Sequence, residues 1–386
     1  MATRPLYNLV AAQLQDDGLP HVAQIVATAT LTPFPRPGAL PKHALQQQLT
    51  GDLGALDLLD ASAASVPSYE HSSYFSRLAL PQPGLAARFT ADGKLFAIGS
   101  PDGSVKLLDA WGLLNGRMGD AGPASLLVQT CLPELPFPVR DVEFNPRGGL
   151  LVSASQDCTM RFYDVARGAL RAKRKCTDTH PIHSIAHHPA GEVLLAATAH
   201  PALHIYDLAS FRCFLSPVET EHHAAAITQA VWAADGSVFA SCSADAIKIW
   251  DGATCRCVRT IPLAHSGAAV SSIAFSSSGS FLLSSGGDSC ARLWDVGSGR
   301  LVRTYEGAMI HSLRATSCFS HDEAHILAVD EASASVIIWS SHSGDVVQRC
   351  PGHPRGVGVL CHSPAHAAFL TCSDDGQTRV WTSADL

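Results

Sequence analysis

One motif recurs seven times along this chain, and its most regular copy is residues 270–295, VSSIAFSSSGSFLLSSGGDSCARLWD. Three apolar runs in this copy are separated by a Ser-Gly turn and a Gly-Gly-Asp turn. Short apolar runs that end in such turns are typical of strands joined by tight hairpins. The other copies are residues 86–109, 139–164, 182–207, 227–251, 315–340 and 357–382.

The spacing of the copies predicts the architecture. Successive copies end 55, 43, 44, 44, 45 and 42 residues apart, and all but the first interval fall in the range of a four-stranded propeller blade. The first interval is longer because of an insertion, residues 110–138. Seven blades require about 300 of the 386 residues, and a hydrophobic fraction of 46% suits a strongly buried sheet protein. We therefore expect an all-β, seven-bladed propeller with a small additional domain.

Three positions of the motif form columns. The last residue is aspartate in the first five copies. The penultimate residue is large, and in chain order it is Leu108, Tyr163, Tyr206, Trp250, Trp294, Trp339 and Trp381. A third column, in the turn before the last strand, contains Asp102, Asp157, Asp245, Asp288 and Asp375. A carboxylate there can accept the hydrogen bonds that fix the turn. These columns resemble the WD40 repeat, whose fold is a β-propeller.

The resemblance to WD40 repeats implies a buried network in which a histidine, an aspartate and a tryptophan support each blade. Two copies have the family's order: His265 with Asp288 and Trp294, and His353 with Asp375 and Trp381. In a third copy, His222 or His223 is the candidate partner of Asp245 and Trp250. Because the arrangement recurs in several blades, it indicates support of the fold rather than a unique active site.

The N-terminal residues differ from the repeats. Between residues 4 and 60, apolar residues follow helical spacing in three short runs, so we predict a helical domain over residues 1–60. Three short helices bury little surface by themselves, and we expect them to associate with a second copy or a partner; packing on the side of the propeller is the alternative. Residues 61–68 are small and polar, as in a linker. The propeller then extends over residues 69–386, and residues 69–80 provide the closing strand of the last blade, with pairing near residues 74–80.

Composition excludes several classes of protein. The net charge of −7 argues against a chain whose main task is to neutralise phosphates, and there is no apolar run long enough to span a bilayer. The N-terminus lacks a signal peptide's hydrophobic core, and the 12 cysteines form no CxxC pair, so we expect an intracellular protein without disulfides or a metal cofactor. Catalytic sequence motifs are missing, and His187 and His188 point in different directions, which disfavours a shared metal site. We expect no enzyme activity and no cofactor.

Two segments left alternatives open. Residues 167–175 are the main basic concentration, and Arg171, Lys173, Arg174 and Lys175 are candidates for RNA phosphate contact; a solvated outer strand is the simpler interpretation. The insertion at residues 110–138 is rich in Gly and Pro, and its centre favours a disordered loop. The third and sixth copies depart from the motif, either to fit a partner or by drift.

The sequence as a whole resembles the WD-repeat subunit of the cleavage stimulation factor, which works in 3′-end processing of messenger RNA precursors. The phrases that carry this resemblance are LYNLVAAQLQDDG, HPALHIYDLASFRCFLS, AHSGAAVSSIAFSSSGSFLLSSGGDSCARLWDVGSGR and HSPAHAAFLTCSDDGQTRVW. The resemblance implies a nuclear, non-enzymatic scaffold that binds the HAT-repeat subunit of the factor through its propeller, works with other polyadenylation factors and contacts RNA weakly or indirectly. It also implies homodimerisation through Leu6, Leu9, Val10, Leu14, Val22 and Ile25. Another dimeric WD40 scaffold, of the microtubule-motor regulator type, is the alternative, and a ubiquitin-ligase substrate receptor is disfavoured.

Overall fold

The structure is a computed structural model that describes residues 69–71, 78–79, 84–110, 127–131, 137–166, 169–216, 218–310 and 315–383. The chain divides into two units, residues 1–65 and 66–386, and the description below concerns the second. The predicted N-terminal helices and all six predicted dimer contacts lie outside the described residues.

The described residues form 29 strands, and most of them are grouped in sequence order into blades of four. Two short strands come first: β1 (Tyr69–His71) and β2 (Leu78–Ala79). Blade 1 contains β3 (Ala86–Phe89), β4 (Leu95–Gly99), β5 (Val105–Asp109) and β6 (Leu127–Cys131). Blade 2 contains β7 (Val139–Phe144), β8 (Leu150–Ser155), β9 (Thr159–Ala166) and β10 (Ala169–Thr177). Blade 3 contains β11 (Ile182–His187), β12 (Val193–Thr198), β13 (His204–Asp207) and β14 (Cys213–Leu215).

The remaining four blades repeat the arrangement. A 3-10 helix (Glu219–Glu221) precedes blade 4, which contains β15 (Gln229–Trp232), β16 (Val238–Cys242), β17 (Ile247–Asp251) and β18 (Cys257–Ile261). Blade 5 contains β19 (Val270–Phe275), β20 (Phe281–Gly286), β21 (Ala291–Asp295) and β22 (Leu301–Tyr305). Blade 6 contains β23 (Ser317–Phe319), β24 (His325–Asp330), β25 (Ser335–Ser340) and β26 (Val346–Pro351). Blade 7 contains β27 (Val357–His362), β28 (Ala368–Ser373) and β29 (Gln377–Ser383).

The seven sheets close into a ring. The first strand of each blade is innermost and contacts the first strand of the next blade, and β27 of blade 7 contacts β3 of blade 1. At the outer edge of blade 7, β1 and β2 both pair antiparallel with β29, in a register that places Tyr69 opposite Ser383 and Leu78 opposite Thr378. Pairing between the N-terminal side and the last blade covers the edge of this sheet. The described residues therefore form an all-β, seven-bladed propeller.

The apolar core lies between neighbouring sheets rather than within one sheet. A typical cluster joins Leu195 of blade 3 to Phe239 and Trp250 of blade 4. Comparable clusters join all the remaining pairs of neighbouring blades. The inner strands of a propeller blade bury both faces, because a sheet is covered on each side by another sheet. This explains the short apolar runs that repeat in the sequence.

The insertion between blades 1 and 2 contains a strand that sequence analysis did not predict. Residues 127–131 form β6, the outer strand of blade 1, which pairs with β5. The insertion is therefore not irregular throughout, since this segment completes a four-stranded sheet. The glycine-rich centre of the insertion lies outside the described residues.

Candidate functional site

Blades 5 and 7 contain complete hydrogen-bonded networks. In blade 5, His265 Nδ1 lies 2.7 Å from Asp288 Oδ1, and its Nε2 lies 2.8 Å from Ser284 Oγ. Trp294 Nε1 donates to the same hydroxyl at 2.8 Å. Burial lowers the pKa of His265 despite the opposing effect of Asp288, so this histidine is neutral at neutral pH. The network therefore connects a loop, a turn and a strand through hydrogen bonds around one serine.

The network of blade 7 has the same geometry around a threonine. His353 Nδ1 lies 2.9 Å from Asp375 Oδ2, and its Nε2 lies 2.8 Å from Thr371 Oγ1. Trp381 Nε1 donates to Thr371 Oγ1 at 3.0 Å. Every member of these two networks is engaged in support of its own blade. We therefore interpret both sets as structural.

Blade 4 forms only part of the predicted network. His223 Nε2 lies 2.7 Å from Ser241 Oγ, and Trp250 Nε1 donates to that hydroxyl at 2.8 Å. The other ring nitrogen, His223 Nδ1, has no hydrogen-bond partner among the described residues. Asp245 is therefore not the partner of His223, and its predicted place in the network is wrong. The neighbouring His222 is not the partner of Asp245 either, because its Nε2 lies 3.1 Å from Ser216 O.

Blade 3 contains a network in which acid and base have exchanged positions. Asp178, in the loop before the blade, occupies the histidine column, and His204 on β13 lies where blade 5 has Arg292. His204 Nδ1 lies 2.8 Å from Asp178 Oδ2, and the Tyr206 hydroxyl donates to the same oxygen. Burial by itself would raise the pKa of Asp178, but the hydrogen bonds from His204 and Tyr206 outweigh it and hold that pKa far below its usual range.

Blade 6 replaces the turn aspartate by a carboxylate three residues earlier. Asp330, at the end of β24, accepts a hydrogen bond from Met309 N at 3.1 Å and lies 3.2 Å from Arg349 Nη1 on the outer strand. Trp339 Nε1 donates to the backbone oxygen of Glu306 at 3.0 Å. The irregular sixth copy therefore retains a buried carboxylate that fixes its turn, at a position that the motif alone does not indicate.

The innermost strands are joined by side chains from one column of the repeat. In four interfaces, a polar side chain accepts the backbone N–H of the following blade. The bonds, with the donor first, are Ile185 to Asp141 (2.9 Å), Ile273 to Gln229 (2.7 Å), Ser317 to Ser272 (3.0 Å) and Leu360 to Thr316 (2.7 Å). These bonds satisfy backbone groups that no sheet ladder can pair, and they fix the spacing of the blades around the central channel.

The central channel has a cavity of about 990 Å³ lined by inner-strand residues of all seven blades. Arg88 of blade 1, Asp141 and Glu143 of blade 2 and His187 of blade 3 face it. Burial, together with Asp141, raises the pKa of Glu143 to about 8, although Arg88 acts in the opposite direction. Burial lowers the pKa of His187 to about 4. The channel is thus where ionisable groups that no blade network uses come together.

Sequence analysis considered His187 only as a metal ligand and did not identify Arg88, Asp141 or Glu143. Arg88 and Glu143 share one column with Ala186, Val231 and Ala274, so the column has no common chemistry that could have marked it. Only closure of the ring brings blades 1, 2 and 3 around one cavity. The sequence showed where each of these residues lies within its own repeat, but not which residues of other blades lie around the same cavity.

The four predicted RNA-contact residues lie on β10, the outer strand of blade 2, and all are exposed. The Arg174 guanidinium lies 3.8 Å from the centre of the Phe211 ring in blade 3. Arg171, Lys173 and Lys175 lie along the same strand, which is a solvated outer strand as the simpler interpretation expected. Further round the ring, the outer strands of blades 3 and 4 expose Phe214, Leu215 and Val258.

Among the described residues, no group of three or more His, Cys, Asp or Glu side chains is placed to hold a metal ion. The part of the chain that the structure describes also contains no helix of the length and apolarity needed to cross a membrane.

The fold and its buried networks define a class: the chain is a seven-bladed WD40 β-propeller. Its sequence matches the family described as WD domain, G-beta repeat at residues 129–164, 215–251, 255–295 and 344–382. It is also 33% identical over 415 residues to the cleavage stimulation factor subunit 50 of Arabidopsis thaliana, an alignment that covers 98% of this chain and 95% of that protein. The chain therefore belongs to the cleavage stimulation factor subunit 50 family.

Proposed function

We propose that this protein is a non-enzymatic scaffold subunit of the cleavage stimulation factor and acts in the nucleus, in cleavage and polyadenylation of messenger RNA precursors. The observation that carries the proposal is the extent of the similarity, which covers 98% of the chain and so includes the residues before the propeller. A resemblance due only to WD40 repeats would cover the blades alone. The networks of blades 5 and 7 support a scaffold, because their polar side chains bond to one another.

The partner in this proposal is the HAT-repeat subunit of the factor, which binds the propeller. Affinity purification of the tagged full-length chain from nuclear extract of its own organism tests process and partner together. We expect the HAT-repeat subunit and other polyadenylation factors to be recovered. Recovery of microtubule-motor proteins in their place would favour the alternative scaffold and overturn the proposal.

Homodimerisation through residues 1–60 is the second part of the proposal. Light scattering on the full-length chain should give the mass of a dimer, and the double substitution Leu9→Asp and Leu14→Asp should give the mass of a monomer. A charge on the apolar side of the first predicted helix removes contact area and adds a buried, unpaired carboxylate. The control is Gln15→Asp, which adds a charge on the opposite side of the same predicted helix. A monomer at high micromolar concentration of the unsubstituted chain would contradict dimerisation.

The third part is a weak contact with RNA phosphates through β10. Arg171, Lys173, Arg174 and Lys175 are exposed on one strand, which supports an electrostatic contact, but the net charge of −7 limits its strength. Replacing Arg171, Lys173 and Lys175 by glutamine should reduce the salt dependence of RNA binding by the assembled factor. An unchanged dependence on salt concentration would assign the RNA contact to other subunits.

A further inference from the structure

The central channel contains an arginine that the fold leaves without a partner. Arg88, on the innermost strand of blade 1, lines the cavity and forms no hydrogen bond or ion pair with any of the described residues, and its Nε is buried. Asp141 and Glu143 attract the guanidinium electrostatically from blade 2 without an ion pair. Buried charges in native proteins are paired, so an unpaired guanidinium that faces a cavity points to an anionic ligand.

The charges that line the cavity also favour an anion. The lining contains two arginines, Arg88 and Arg140, and two carboxyls, Asp141 and Glu143. Arg140 differs from Arg88 because its Nη2 donates to Gln156 Oε1 at 3.0 Å. With both carboxyls ionised these four groups are neutral together. At pH 7 they carry at least one positive charge, because burial and Asp141 raise the pKa of Glu143 to about 8 and its carboxyl is mostly protonated.

The other ionisable side chains of the lining add no negative charge. Burial lowers the pKa values of His187 and His362 to about 4, so both rings are neutral at pH 7. Burial raises the pKa values of the Cys318 and Cys361 thiols, which are therefore neutral as well. His183, the remaining histidine of the lining, can add only positive charge. The cavity therefore has a positive excess for an anion to neutralise.

Glu143 and His187 provide further donors beside Arg88. Glu143 lies on β7, which packs against the strand of Arg88, and its Oε2 accepts the backbone N–H of His187 at 3.2 Å. This leaves Oε1 to carry the proton of the neutral carboxyl. His187 is only 5% exposed, and neither of its ring nitrogens has a hydrogen-bond partner within the residues described. A guanidinium, a carboxyl O–H and an imidazole N–H thus lie at the cavity with donors to spare.

The opposite side of the channel is apolar. The residues of blades 3, 4 and 5 that correspond to Arg88 and Glu143 are Ala186, Val231 and Ala274, and all three line the cavity. The cavity volume of about 990 Å³ is large enough for a small organic molecule. A ligand that reaches from Arg88 across the channel therefore meets hydrocarbon at its other end.

We propose that the central channel binds a small organic monocarboxylate, with its carboxylate on Arg88 and its apolar body against the alanines and the valine of blades 3 to 5. A guanidinium pairs with a carboxylate through two parallel N–H···O bonds. A single negative charge neutralises the positive excess, whereas a doubly charged phosphate would bring a second buried charge and has no apolar body. The neutral Glu143 donates its proton to the same carboxylate.

Binding at this site is coupled to the protonation of Glu143. Because its pKa is about 8, this carboxyl is about nine-tenths protonated at pH 7 and about one-tenth protonated at pH 9. A bound carboxylate disfavours the ionised form of Glu143 and raises its pKa further. Binding therefore takes up about one-tenth of a proton at pH 7 and about nine-tenths at pH 9, and the apparent affinity falls about tenfold between these pH values.

Isothermal titration calorimetry of the full-length chain tests the site, with hexanoate as the probe. We expect saturable binding at pH 7 and about tenfold weaker binding at pH 9, where the heat should depend on the ionisation enthalpy of the buffer. Arg88→Gln should weaken hexanoate binding by about tenfold or more, because it removes the charged partner of the carboxylate. The control Arg300→Gln removes an exposed arginine of blade 5 outside the cavity and should bind like the unsubstituted chain.

Two further probes test the unsubstituted chain, so their outcome does not depend on the folding of a variant. Hexanamide has the same chain length without the charge, and acetate has the charge without the apolar body; both should bind about tenfold more weakly than hexanoate or worse. Equal binding of hexanamide would show that the charge is not recognised. Equal binding of acetate or inorganic phosphate would show that the apolar side takes no part. No saturable binding of hexanoate, or unchanged binding by Arg88→Gln, would overturn the site itself.

Discussion

In blade 5, the loop before the inner strand supplies a histidine, His265, and the turn before the third strand supplies an aspartate, Asp288. In blade 3, the same loop supplies an aspartate, Asp178, and the third strand supplies a histidine, His204. In both blades an acid and a base link the loop to the third strand or to the turn before it, but the loop residue is the base in blade 5 and the acid in blade 3. The fold therefore requires a complementary pair at this location and does not require one order of its members.

The reversal is accompanied by two further changes. Blade 5 has Ser284 as the hydroxyl that accepts from Trp294, and blade 3 has Ala196 at the corresponding position, with Tyr206 in place of the tryptophan. The phenolic hydroxyl of Tyr206 reaches Asp178 directly, so the serine is unnecessary. The two blades therefore differ in which side chains accept the hydrogen bonds of the buried donors. One carboxylate serves both side-chain donors in blade 3, whereas a serine and a carboxylate share them in blade 5.

The largest expected effect follows from this difference. Asp178→Ala leaves two buried donors, His204 and Tyr206, without their acceptor, and an unsatisfied buried group costs about 1 to 3 kcal/mol, so we expect a loss of about 3 kcal/mol or more in the free energy of unfolding. Asp288→Ala deprives one fully buried donor, His265, and the partly exposed guanidinium of Arg292, and we expect about 1 to 2 kcal/mol. Urea denaturation of both variants measures the difference. Asp178→Asn, which keeps one acceptor oxygen, should lose less free energy of unfolding than Asp178→Ala. Equal losses for Asp178→Ala and Asp288→Ala would show that the two blades do not differ in this respect.

The serine of blade 5 gives an intermediate effect with a matched control in blade 2. Ser284→Ala leaves Trp294 Nε1 without its acceptor and His265 Nε2 without its donor, and we expect a loss of about 1 to 3 kcal/mol. Ser153 occupies the same column in blade 2 and is equally buried, but its hydroxyl has no hydrogen-bond partner among the described residues. Ser153→Ala should therefore be neutral or slightly stabilising in the same denaturation experiment. Similar losses in both variants would mean that the cost arises from packing at this column and not from the network.

The sequence was sufficient to predict the features that repeat. The period of the motif and the column that ends in Trp294 predicted seven blades, because every blade must bury both faces of its sheet in the same way. The networks expected in blades 5 and 7 were implied by the resemblance to WD40 repeats. The assignment of residues 69–80 to the last blade depended on a different fact, that the final copy ends without a fourth strand, and both strands found in this segment pair with β29.

The features that were missed depend on relations between columns or between blades. A search for the family's residue in each column finds no network in blade 3, since the exchange of Asp178 and His204 is visible only when several columns are read together. Glu143 was missed because its partners belong to other blades and are brought to it by ring closure. The strand β6 was missed because a short apolar run was outweighed by the glycine and proline around it.

The smallest expected effect concerns the turn between the third and outer strands of blade 3. In blade 5 this turn contains Gly299 with a φ of +70°, and Arg259 of blade 4 donates to the backbone oxygen of Ser298 at 2.7 Å. In blade 3 the corresponding residue is Phe211 with a φ of 58°, a conformation that costs a non-glycine residue about 1 kcal/mol, and Arg174 of blade 2 lies over its ring. An outer-strand arginine thus contacts the next blade in both places, through a carbonyl oxygen in one and an aromatic ring in the other.

A double-mutant cycle on Arg174 and Phe211 measures this contact. Arg174→Ala should lower the free energy of unfolding by about 0.5 to 1 kcal/mol, the usual value of an exposed cation–π contact. In the background of Phe211→Gly, which also relieves the left-handed strain, the same substitution should have almost no effect, so that the coupling energy equals the loss in the parent chain. Lys173→Ala, on the same strand, is the control and should be neutral in both backgrounds. Additive effects of Arg174→Ala and Phe211→Gly would show that Arg174 stabilises blade 2 alone. The Phe211 ring would then not be the counterpart of the Ser298 carbonyl oxygen that Arg259 contacts in blade 5.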